Sequence, residues 1–87
     1  MSKKSADPWA VAVKTYLKSE LGARNLAYAD LIPLLAAVEV EESESGFRNK
    51  LSRGTFPATF FIQVLRALGI DSIDLNSMAP PNETRQQ

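Results

Sequence analysis

Ser43-Glu-Ser-Gly-Phe-Arg-Asn-Lys-Leu-Ser-Arg-Gly54 reads as one short helix with a signal at each end. Ser43 is a good N-cap, and Glu44 puts a negative charge in the first turn, against the positive end of the helix dipole. Gly54 follows a basic last turn, Lys50 and Arg53, where a left-handed residue stops a helix. On a helical wheel Phe47 and Leu51 fall one turn apart on one side. Ser45, Asn49 and Ser52 therefore point away, with Arg48 and Arg53 beside them. A helix with only two apolar anchors is held by its neighbours and presents hydrogen-bonding side chains between basic ones. A helix lying in the major groove of DNA needs that chemistry. The same pattern also describes an ordinary solvated face, and locally both readings are open.

Upstream, Glu39, Glu41, Glu42 and Glu44 crowd the approach to this helix. Glu41, Glu42 and Glu44 can serve as favourable charge at its positive end. They can also repel non-cognate nucleic acid or attract a basic protein partner. Before them, Leu31, Leu34, Leu35 and Val38 recur at helical spacing. Pro33 lacks an amide hydrogen, so the reading favours regular helix from Asp30 as N-cap, which puts Pro33 in the first turn.

Nearer the N-terminus, Asp7-Pro8 marks a helix start, with Asp7 as N-cap and Pro8 at the first position. Trp9, Val13, Tyr16, Leu17 and Leu21 follow at three- and four-residue spacing, with Lys14 and Lys18 as an exposed basic pair and Gly22 as the stop. Trp9 tempts as a stacking residue, but an aromatic on an apolar stripe belongs to the core. After Gly54, Pro57 opens a fourth helix through Gly69, with Phe61, Val64, Leu65 and Leu68 on one stripe and Phe60 beside it. Ile70, Ile73 and Leu75 can cover the base of the bundle. No period-two strand pattern competes. The expected fold is all-α, a compact four- to five-helix bundle over residues 7–77, with tails at 1–6 and 78–87 expected to be disordered. Its core is expected to include Val13, Leu17, Leu21, Leu31, Leu35, Phe47, Leu51, Phe61, Val64, Leu65 and Leu68.

Eighty-seven residues make one domain with a small core, and the lack of a long apolar run excludes a membrane span. The absence of Cys and His removes disulfides, thiol nucleophiles, imidazole bases and nearly every zinc arrangement. Lys3 and Lys4 lead into Asp7-Pro8 and not into an apolar secretory segment, so a cytoplasmic location is expected. Ten basic residues balance ten acidic ones, so attraction to nucleic acid must come from local arrangement. The glutamates have no apolar surroundings to raise a pKa for acid–base work, and their spacing lacks the glycine-centred loop of a calcium site. No glycine-rich phosphate cradle occurs. The expectation is a protein with no metal, no cofactor and no enzymatic activity.

The run Tyr28-Ala-Asp-Leu31, then Phe47-Arg-Asn-Lys-Leu-Ser-Arg-Gly-Thr-Phe56, Phe60-Phe61 and Leu65-Arg-Ala-Leu-Gly69 resembles a family of small bacterial proteins known only as a domain of unknown function. These in turn look like lone helix-turn-helix domains of the lambda-repressor (Cro/CI-type) class. The resemblance spans about residues 9 to 70. It implies that Asp30 and Leu31 mark the first helix of the motif, that Leu51, Arg53 and Gly54 end a recognition helix at 44–53, and that Leu68 and Gly69 close the next. Two departures stand out: Ala27 replaces the usual Thr or Ser cap, and the connection from Val38 to Ser43 is longer than the usual tight turn. The implied function is a sequence-specific transcriptional regulator. Ser45, Arg48, Asn49 and Ser52 are expected at bases, and Arg24, Lys50 and Arg53 at phosphates of double-stranded DNA. A homodimer is expected on DNA, because one small domain contacts too few base pairs to be selective. The alternative is a protein-interaction adaptor that uses Glu39, Glu41, Glu42 and Glu44.

Overall fold

The computed structural model describes residues 7–78 as an all-α domain of four helices and a closing turn, with no strand among the described residues. Of the tails expected at 1–6 and 78–87, residues 1–6 and 79–87 lie outside the described residues. Helix α1 runs Pro8–Ala23, α2 Tyr28–Ala37, α3 Glu44–Arg53 and α4 Ala58–Ala67, followed by a 3₁₀ turn at Leu75–Met78. α1 packs against α3 and the closing turn, and α2 against α3 and α4. Leu17, Leu31, Leu35, Phe47, Leu51 and Val64 are fully enclosed between them.

The expected helix starts hold for α1 and α3. The Asp7 carboxylate accepts from the Trp9 amide at 3.0 Å with Pro8 in the first turn, and the Ser43 hydroxyl accepts from the Gly46 amide at 3.0 Å. α2 departs from the expectation: its N-cap is Ala27, not Asp30, and Pro33 lies inside the helix. Asp30 still acts on the start, reaching back so that the Ala27 amide donates to its carboxylate at 2.8 Å. Tyr28 fixes the first turn by meeting Phe47 edge-on at 5.6 Å. The bond that Pro33 cannot make would go to the Ala29 carbonyl. Both residues are exposed, so solvent can take that oxygen.

Three helices end in one way. Amides of Leu26, Val40 and Ile70 donate back to the carbonyls of Leu21, Leu35 and Leu65, across Asn25, Glu39 and Gly69, each at positive φ. This is the Schellman turn, in which a half-buried apolar residue follows a left-handed one. Glu39, at φ 65°, occupies a position that suits glycine.

The core contains the expected leucines but differs in its aromatics. Trp9 is 53% exposed, although two turns further along the same side Tyr16 is buried. The buried residues at this end of α1 are Ala10 and Ala12, and a Cβ on Gly54 would overlap the Ala10 backbone. The chains approach too closely there for a large side chain, so Trp9 stays at the rim. On α4 the buried stripe is Phe60, Val64 and Leu68 with Leu65, and Phe61 is half-buried against Phe56. Val13 is likewise half-buried. Met78, assigned to the tail on sequence, is buried in the closing turn and joins the core.

Candidate nucleic-acid interface

Phe47 and Leu51 seat α3 in the core, with Phe47 between Tyr28 and Phe60. Ser45, Arg48, Asn49 and Ser52 are all exposed on the opposite side, as the spacing requires. The structure thus brings together the four residues expected at bases. Their freedom differs. The Arg48 guanidinium pairs with Glu44 at 2.6 Å and lies 4.6 Å from the centre of the Tyr28 ring, so it leans toward α2. The Ser52 hydroxyl donates to the Asn49 carbonyl at 2.9 Å, and the Ser45 hydroxyl lies 3.4 Å from that of Ser43. The Asn49 amide has no side-chain partner among the described residues and projects into solvent.

The cations expected at phosphates separate. Arg53 is exposed with no ion pair among the described residues. The Lys50 ammonium is held 2.8 Å from Glu42 and 4.8 Å from the centre of the Phe60 ring. Arg24 is committed elsewhere. Its guanidinium donates to the Leu68 carbonyl at 3.2 Å and the Glu20 carbonyl at 3.0 Å, and pairs with the Glu20 carboxylate at 2.6 Å. It closes the ends of α1 and α4, where a cation also opposes the dipole.

The glutamates do not form one acidic patch. Glu39 occupies the Schellman turn, Glu44 holds Arg48, and Glu41 is exposed. Glu42 has only a tenth of its side chain open, bound to Lys50 and lying over Gly46, where any Cβ would meet its carboxylate. A side chain at Gly46 would therefore make the Glu42 carboxylate shift.

Sequence reasoning missed a second source of positive charge. The Lys14 ammonium donates to the Ser52 carbonyl at 3.3 Å, which lays it along the last turn of α3. One turn further on, Lys18 joins Tyr28 and Arg48 around an open depression of about 340 Å³ floored by Leu21 and Leu26. The four-residue spacing of Lys14 and Lys18 was visible, but nothing local reveals that this face of α1 runs beside α3. The signal was the small pair Ala10 and Gly54, which lets the helices close.

The arrangement is that of a small helical domain presenting one polar helix flanked by lysines. Residues 9–73 match the family described as a domain of unknown function (DUF6471), and the chain belongs to that family. No curated protein and no solved structure matches it. Among the described residues no cluster of acidic side chains is arranged to hold a metal ion, and no helix is long and apolar enough to cross a membrane.

Proposed function

We propose that this domain is a sequence-specific DNA-binding protein of the helix-turn-helix kind, a transcriptional regulator that works in the cytoplasm and reads the major groove with α3. One observation carries the reading: the exposed stripe Ser45, Arg48, Asn49 and Ser52 is bordered along its length by Lys14 and Lys18 of α1. Arg pairs with guanine and Asn with adenine, while flanking lysines and Arg53 meet phosphates. Glu44 must release Arg48 for that contact, so the arginine is exchanged from an internal carboxylate to a base or a phosphate. Two such domains would bind as a homodimer.

A gel-shift titration with random-sequence duplex at low and moderate salt tests the proposal. DNA binding predicts affinity that falls steeply with salt, and Lys14→Gln with Lys18→Gln should reduce the log–log slope by about two. Binding that ignores salt, or no binding at low salt, would overturn it.

An adaptor role has its own supporting observation. An open groove of about 460 Å³, lined by Ile32, Ala36 and Val40, carries Glu41 and Glu42 on one side. An amphipathic basic helix fits such a surface. In that case random duplex shows no affinity, and Glu41→Gln slows association with the protein partner at low salt.

A further inference from the structure

The far side of α4 carries a second surface, away from the buried stripe. Ile62 and Arg66 lie one turn apart on it, and with Ile70, Asp71 and Ile73 they line a groove of about 190 Å³ floored by Leu65. Ile62 is 54% exposed, a large apolar side chain left open at the rim. Arg66 and Asp71 line the same groove. They do not pair with each other, and neither has an ion-pair partner among the described residues.

One apolar centre with one unpaired cation and one unpaired anion is self-complementary. In a two-fold interface residue i of one copy meets j of the other, and j meets i, so one interface forms the same pair twice and satisfies all four charges. A basic partner would satisfy Asp71 and repel Arg66, and an acidic one the reverse. We infer that this groove is the homodimer surface, with Ile62 packing about the two-fold axis and Arg66 of each copy pairing with Asp71 of the other. The expectation of a dimer rests on the DNA reading, whereas the choice of surface rests on the groove alone. The surface is small, so the dimer is a weak one that DNA, holding two copies side by side, would consolidate.

The test is sedimentation equilibrium on the full chain without DNA, so its failure is separate from any failure of DNA binding. The apparent mass should rise with concentration from 9.6 kDa toward twice that value. Arg66→Asp puts two acidic residues across each contact and Asp71→Arg two basic ones, so each variant alone should remain monomeric. An equimolar mixture of the two restores both pairs and should dimerise again. Far-UV circular dichroism shows whether each variant is folded, and recovery in the mixture cannot arise from misfolding. A wild-type mass that stays at 9.6 kDa, or single variants that dimerise as well as wild type, would overturn the inference.

Discussion

The Lys50 ammonium sits 2.8 Å from a carboxylate oxygen of Glu42, with 35% of the lysine side chain and 10% of the glutamate side chain exposed. The pair ties the approach segment to the last turn of α3 and takes one cation out of the presented face. Removing either partner strands the other, Glu42 more severely because it has less access to water. In a double-mutant cycle with Lys50→Met and Glu42→Gln, urea melts should return a coupling of about 1 kcal/mol, moderated by the solvent that reaches the lysine. Strictly additive costs would mean that the pair contributes nothing. Glu42→Gln alone should free Lys50, raising affinity for random duplex and steepening its salt slope by about one. Glu41→Gln, at an exposed position, should act only at low salt.

Gly54 and Gly69 both have positive φ, 68° and 82°, but only Gly54 faces a neighbouring backbone. Gly69→Ala meets open space and should cost about 1 kcal/mol, the conformational penalty alone. Gly54→Ala adds an overlap with Ala10 across the α1–α3 contact and should cost about 2–4 kcal/mol. Denaturant midpoints of the two variants give the difference directly. Equal losses would show that the helices can part without cost.

Glu39 should be replaceable at a gain. Its φ of 65° disfavours any residue with a Cβ, and its side chain has no ion pair among the described residues. Glu39→Gly should raise stability by about 1 kcal/mol, and thermal melts would register the increase. A loss would mean that the extra freedom of glycine in the unfolded chain outweighs the relieved strain.

Stability should decline in strong base through Tyr16. Burial pushes its phenol up from the ordinary value of 10.0, and the carboxylate of Glu20 adds to the shift against an opposing pull from Arg24. The unfolded chain therefore releases this proton before the folded one does. The stabilisation is whole below 10.0 and is lost as pH rises through the higher folded value. Tyr16→Phe should flatten the fall of the urea midpoint in that range. An unaltered slope would place the titration elsewhere.

What the sequence made legible was local. Asp7-Pro8, Ser43, Gly54 and Gly69 signal through residues a few positions away, and all four act as their chemistry dictates. The start of α2 was misread because Tyr28 is fixed from another helix, by Phe47, which outweighs the missing amide of Pro33. Phe60 and Phe61 are adjacent, and only the direction of packing decides which one turns inward. In the candidate site, the outward stripe of α3 followed from the period of Phe47 and Leu51. The Arg48–Glu44 and Arg24–Glu20 pairs are one helical turn apart and were within reach of sequence spacing. The engagement of Lys50 was not, because the approach segment folds Glu42 back over it, nor was that of Arg24 with the Leu68 carbonyl at the end of another helix. Lys14 and Lys18 belong beside α3 for the same kind of reason.

The exposed position of Trp9 has a practical consequence, since it is the chain's one tryptophan. With about half its surface already in water, its emission should resemble that of a hydrated indole before the protein melts, and unfolding should change the colour of the light little. Trp9 directly precedes Ala10, which abuts Gly54 at the end of α3, so a molecule that covers this edge should dehydrate the indole. The expected result is an optical reporter that responds little to denaturation and more to docking at this edge. A blue shift on adding duplex, absent in Trp9→Phe, would locate the contact without any label.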